Sequence, residues 1–199
     1  MTPAEERIRH QFGISIENTI AAADLLSEKI VQAASRLTSC LVQDGKIFIC
    51  GSGGSAANAC HFSSALLNHY SVERPSLPVV NLSVDSASIS SIANESHYDQ
   101  VFSRQVQALG HQHDLLIVLT TTGNSDSILN AVNSAKDRGM DTIALSGRDG
   151  GILANHLGPE DIELRAPGKH AAQIREIHLF ILHGLADLIE QMLFNQLLG

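Results

Sequence analysis

The chain has 199 residues, 44% apolar and 17% charged, with a mean hydropathy of +0.06, which allows one domain with a buried core and argues against disorder. Lys and Arg number 13 against 21 Asp and Glu, for a net charge of −8; with 4% aromatic residues and no Trp, this speaks against direct binding of duplex or single-stranded nucleic acid. Three Cys without paired spacing, a charged N-terminus with no apolar leader core and no apolar run of membrane-spanning length point to one cytoplasmic domain without a membrane partner.

In chain order, Ile8, Phe12, Ile16, Ile20 and Ala23 recur with a helical period. Leu25, Leu26, Ile30, Ala33, Ala34, Leu37 and Leu41 continue it as a second helix. Asp44-Gly45 stops it, with glycine expected in the left-handed conformation of a helix C-cap. Residues 46–50 then form a short apolar run ending in glycines, as a buried parallel strand does. Similar runs lie at 77–82, 115–119, 141–145 and 161–164, with helical stretches at 55–69, 86–93, 98–109, 125–138 and 171–198. This alternation predicts an α/β fold: a parallel sheet covered on both faces, with right-handed crossovers. No low-complexity linker divides the chain. Residues 1–44 form a helical appendage suited to oligomerisation, and residues 45–199 the α/β core.

Ligands of open parallel sheets bind beyond the carboxyl ends of the strands. Two loops there carry a pattern. Gly51-Ser52-Gly53-Gly54-Ser55 follows the first strand and opens a helix, where glycines let backbone N–H groups approach a phosphate and Ser55 offers both an N-cap and a hydroxyl ligand. The loop also reads as a plain strand-to-helix turn, or as a dinucleotide fingerprint with Ala56. Glu73, at the ribose-contact offset, precedes the second strand instead of following it, which counts against the dinucleotide. Thr120-Thr121-Thr122-Gly123-Asn124-Ser125 follows a later strand in the same way. Two hydroxyl-rich cradles without Lys or Arg suit the monophosphate of a sugar phosphate.

At these loops the sequence resembles the sugar isomerase (SIS) domain, through Cys50-Gly-Ser-Gly-Gly-Ser55 and Thr120-Thr-Thr-Gly-Asn-Ser125. Glu73-Arg-Pro-Ser-Leu-Pro78, Ser91-Ile-Ala-Asn94, Ala108-Leu-Gly110, Gly147-Arg-Asp-Gly-Gly151 and Glu176-Ile-His178 extend the resemblance to the phosphoheptose isomerase subgroup, which includes the DnaA initiator-associating proteins. The resemblance covers essentially the whole chain. It implies an αβα sandwich with a five-stranded parallel sheet and N-terminal helices, a homotetramer, and phosphate held by Ser55, Thr120, Thr122 and Ser125. Ser52, Gly53, Gly54, Asn94, Glu95 and Arg175 join them as substrate-binding positions. It further implies a catalytic set of His, Glu four residues on, and a Gln and a His on the last helix, able to hold zinc in some members.

Here the set is incomplete. His61 and His183 are present, but the Glu position is Ala65, the Gln position is Arg175, and Gln173 lies two places earlier. Alanine moves no proton, and guanidinium is neither base nor metal ligand at neutral pH. The two remaining zinc positions, His61 and His183, are too few for a normal site, so no cofactor is expected unless the chain is an isomerase. Ser52 and Glu95 stand where Asn and Asp are usual. His10, His69, His97, His111 and His113 read as solvated and His178 as packed, while Cys60, beside His61, reads as buried and structural. Leu193 and Phe194 match the pair through which the initiator-associating proteins contact the initiator.

Two functions follow from the resemblance. The first is a phosphosugar-binding protein without normal isomerase catalysis, acting as a DnaA-associating regulator of replication initiation. The alternative is a phosphoheptose isomerase converting sedoheptulose 7-phosphate to D-glycero-D-manno-heptose 7-phosphate for lipopolysaccharide cores, with His183 helped by Glu176, Glu95 or water, or by a carboxylate from a neighbouring subunit. A nicotinamide-dependent oxidoreductase is the third idea, and no nicotinamide binding is expected.

Overall fold

The computed structural model describes residues 1–194. Its elements are α1 (Pro3–Val42), β1 (Ile47–Gly51), α2 (Gly54–Leu67), β2 (Val79–Asn81), α3 (Ser86–Glu95), a 3₁₀ turn (Tyr98–Gln100), α4 (Ser103–Leu109), β3 (Leu115–Leu119), α5 (Asp126–Asp137), β4 (Asp141–Gly147), α6 (Gly151–His156), β5 (Ile162–Ala166) and α7 (Ala171–Phe194). The last four residues of the expected final helix lie outside the described residues.

The N-terminal segment is one helix, not two. A reciprocal cap opens it, with Thr2 and Glu5 bonding each other's backbone N–H. The expected break falls at Asp24, and neither Gly nor Pro stands there to interrupt the ladder. Forty residues at 1.5 Å each make a rod of roughly 60 Å. Its second half buries Leu26, Ala33, Ala34 and Leu37, while residues 1–12 stay exposed.

The end of α1 corrects another expectation. Asp44, not Gly45, takes the left-handed backbone, at φ 59°. Glycine is required at 45 for space: a Cβ there would lie 2.5 Å from the His113 carbonyl oxygen and 2.8 Å from Cys40 Sγ.

The five strands are all parallel, in the order β2-β1-β3-β4-β5. Because side chains alternate across a strand, Ile47, Ile49, Leu115, Ile117, Leu119, Ile143 and Leu145 face α1, α2 and α7. Phe48, Cys50, Leu116, Val118 and Ala144 face α3, α4, α5 and α6. The six-residue α6 escaped sequence reading because it is too short to display a period.

By length and composition α7 is long and apolar enough to cross a membrane, which corrects the expectation that no apolar run reaches that length. Ile174, Ile177, Ile181, Leu185 and Ile189 of α7 are buried in the core. Its hydropathy is therefore what a central helix packed on a sheet and on α1 requires.

Candidate functional site

The two hydroxyl loops meet beyond the carboxyl ends of β1 and β3. Between them lies a cavity of about 170 Å³ lined by Ser52, Ser55, Thr120, Thr122, Ser125 and Arg175, among others. Gly53 is the N-cap of α2 at φ 59°, so Ser55 sits inside the first turn and does not cap the helix as expected. Ser55 is 4% exposed, and its hydroxyl has no partner among the described residues.

The second cradle is organised by its own hydroxyls. Thr120 Oγ1 accepts from the Gly123 N–H at 3.1 Å and Thr122 Oγ1 from the Asn124 N–H at 3.3 Å. Each hydroxyl thus uses an oxygen lone pair to hold the loop and keeps its O–H to donate to a ligand. Ser125 is the N-cap of α5 by position, but its hydroxyl pairs with that of Ser127 at 3.0 Å instead of capping. From behind, the Ile152 N–H donates to Asn124 Oδ1 at 2.9 Å and the Leu153 N–H to the Gly123 carbonyl at 2.9 Å, so the overlooked α6 braces the loop.

Helices α2 and α7 run side by side in the same direction. At one end the Arg175 side chain lies over Gly54, with Nε 2.7 Å from where a Cβ would stand. Asn58 Nδ2 donates to the Arg175 carbonyl at 3.0 Å. Two turns along α7, His183 meets His61 of α2, with Nε2 atoms 2.7 Å apart and ring centroids 4.8 Å apart. Only one of those two nitrogens can carry the hydrogen, so one imidazole donates while the other presents a lone pair. Burial, and then the neighbouring His61, push the His183 pKa below its ordinary value, favouring the neutral, proton-accepting form at pH 7. Tyr70 lies 5.8 Å from the His183 ring, a wall residue that sequence reading missed. Tyr98, also missed, has its hydroxyl 3.4 Å from Ser52 Oγ. The chain's two Tyr both stand at this site, but two scattered tyrosines carry no periodic or motif signal.

The surroundings confirm the gap at Ala65. Its carbonyl accepts from Arg74 Nη2 at 2.8 Å, and its methyl packs half-buried on the core. Glu176 accepts from Ser15 Oγ at 2.8 Å and Glu95 from Ser91 Oγ at 3.3 Å, and neither bonds a site histidine. Asn94 and Glu95 stand exposed on α3 outside the cavity lining. Gln173 does not stand in for the missing Gln, because its Oε1 accepts the Lys169 and His170 N–H groups at the start of α7. Within one chain the donor set does not fit zinc: among the described residues no three of His, Cys, Asp or Glu are grouped to hold a metal.

Other expectations divide. His178 is packed, fully buried, with Nε2 2.8 Å from the Ser146 carbonyl. The five histidines read as solvated are exposed. Cys60, expected to be buried, is exposed; its Sγ accepts from Asn81 Nδ2 at 3.5 Å at the end of the edge strand β2, outside the covered part of the sheet. Leu193 and Phe194 pack partly buried against the core.

The SIS domain family profile matches residues 11–147. Over 192 residues the chain is 49% identical to a phosphoheptose isomerase of Halorhodospira halophila, covering 96% of this chain and 97% of that one. It superposes on a solved phosphoheptose isomerase from Francisella tularensis with a TM-score of 0.92 at 44% identity, covering 96% of this chain and 100% of the other. A solved phosphoheptose isomerase from Neisseria gonorrhoeae gives 0.90 at 39% identity, covering 94% of this chain and 99% of the other.

Proposed function

The chain belongs to the SIS domain family and, within it, to the phosphoheptose isomerases, and from that membership we propose that it isomerises a seven-carbon sugar phosphate, sedoheptulose 7-phosphate to D-glycero-D-manno-heptose 7-phosphate. One observation carries this reading: the spacing of the phosphate cradle and the histidine pair along α2 and α7. Gly54 to His61 and Arg175 to His183 are each about two helical turns, an axial rise of roughly 10–12 Å. From C7 to C1 a heptose has six bonds, a path of roughly 9 Å at about 1.5 Å per bond, and the two bonds to phosphorus bring it to roughly 12 Å. With the phosphate in the cradle, the reacting carbons reach His61 and His183.

Ketose–aldose exchange moves two hydrogens and changes no other atom. Substrate entering between the rings replaces the His61–His183 contact; the imidazole whose Nε2 carries the lone pair then takes a proton from C1, and the C–H electrons form the C1=C2 double bond. The C2=O π electrons move to O2, which is protonated by the neighbouring imidazole N–H, giving an enediol. Return of a proton to C2 and loss of the O1 proton leave an aldehyde at C1. A histidine pair, one member accepting and one donating, supplies both roles without the carboxylate missing at 65.

We also propose a homotetramer. Ile8, Phe12, Ile16 and Ile20 form an exposed apolar stripe on α1, and Phe180 of α7 is exposed as well. Such a stripe is the surface that subunits of a helical assembly bury.

A second reading rests on a different observation, the methyl group of Ala65 where the family pattern has a carboxylate. On it the chain binds a phosphosugar without turnover and acts by contacting the replication initiator DnaA through Leu193 and Phe194. Incubation with sedoheptulose 7-phosphate separates the two. Turnover reduced at least a hundredfold in His183→Ala supports the isomerase, on the usual scale of acid–base catalysis. No turnover by the wild type, together with initiator capture lost in Phe194→Ala, supports the regulator.

A further inference from the structure

Arg175 presents a charge that the fold leaves unanswered. Guanidinium has five N–H donors and stays charged at every relevant pH. Arg36, Arg74 and Arg165 each find a carboxylate, yet among the described residues none pairs with Arg175. Its guanidinium has no hydrogen-bond partner among the described residues, and the bond from Asn58 goes to its backbone carbonyl. The chain carries 21 acidic residues, and none lines the cavity that Arg175 walls. Half-buried positive charge without a partner is costly, so a cavity that concentrates it is completed by an anion. The side chain also lies over Gly54, at the first turn of α2, where the helix dipole adds positive potential. Ser55, Thr120 and Ser125 line the same cavity.

We propose that Arg175 is the charged anchor of this cavity: it binds a phosphate group through the guanidinium, strongly enough that inorganic phosphate alone occupies the site. The proposal rests on the phosphosugar reading of the cradle, but not on turnover. It makes position 175 the determinant of how tightly the phosphate end is held, where the family pattern has a neutral Gln.

The test is calorimetry of the full-length protein with inorganic phosphate and, separately, with sedoheptulose 7-phosphate. Arg175→Gln is expected to weaken both by ten- to a hundredfold, the range for a charge-assisted hydrogen bond, and Arg175→Lys by less. A second measurement needs no variant. Phenylglyoxal labelling read by peptide mass spectrometry is expected to show phosphate protecting Arg175 while exposed Arg7 and Arg9 react unchanged. Equal affinity in Arg175→Gln, no protection of Arg175, or a wild type that binds no inorganic phosphate overturns the proposal. A protein that binds phosphate through Arg175 but turns over no heptose phosphate supports the anchor while sinking the isomerase reading, so the two failures are distinct.

Discussion

His178 shows what one buried side chain does to the whole molecule's response to acid. Its Nε2–H holds the Ser146 carbonyl while Nδ1 has no partner among the described residues, and burial, the largest cause, pushes its pKa down to about 4. The native state therefore keeps it neutral where the unfolded chain, titrating near 6.5, takes a proton. Above pH 6.5 both states are neutral and the residue adds no pH dependence. Between 6.5 and 4 the unfolded state binds more protons, so stability falls as pH falls. At pH 5 the loss relative to pH 7 is expected to be about 2 kcal/mol, at 1.36 kcal/mol per unit. Urea unfolding at the two pH values checks this, and His178→Gln is expected to flatten the difference. An unchanged slope in that variant assigns the acid sensitivity elsewhere.

Between elements, Glu190 of α7 is tied to Arg74 by a buried ion pair. Both side chains are 1% exposed, and Nε of Arg74 is 2.8 Å from the carboxylate. Glu190 also accepts from the Tyr70 and Ser71 N–H groups at 2.6 and 3.0 Å, while Arg74 reaches the carbonyls of Ala65 and Leu66 at the end of α2. Burial alone would raise the Glu190 pKa; these bonds outweigh it and hold it at about 2. That carboxylate is therefore ionised and fully engaged, and is no substitute base for the one absent at Ala65. The pair fixes the end of α2 against α7 and seats Tyr70 beside His183. Glu190→Ala leaves a buried guanidinium unpaired, which typically costs about 3–5 kcal/mol, or roughly a 10 °C fall in melting temperature for a domain of this size. A thermal scan measures it, and a fall of only 1–2 °C means the loop is held by other contacts. In the wild type this contribution is present above the unfolded carboxyl pKa near 4.5 and is lost as pH drops towards 2.

At the scale of the whole molecule, the long α1 rod is the feature a single chain does not explain. Its second half packs on the core, but Phe12 is 67% exposed and Ile16 and Ile20 are each 59% exposed. Light scattering on the eluting protein is expected to give about four times 21.3 kDa, and Phe12→Glu with Ile16→Glu a smaller species. A monomeric wild type at micromolar concentration leaves the apolar stripe without its proposed partner.

The sequence alone determined the alternation of strands and helices, the parallel sheet and the two hydroxyl cradles, because period, punctuation and loop chemistry are local properties of neighbouring residues. It also identified the family, through the motifs that surround His61, His183, Ala65 and Arg175. Only the tertiary structure decided what those residues meet. The His61–His183 contact, the unpaired charge of Arg175 over Gly54 and the tie from Glu190 to Arg74 each join residues more than a hundred positions apart. Such contacts depend on how α2 and α7 pack, which no local signal encodes. The same reason explains the misread details. Gly45 is glycine because the His113 carbonyl approaches it, and Cys60 is exposed because α2 sets it beside Asn81 at the open edge of the sheet.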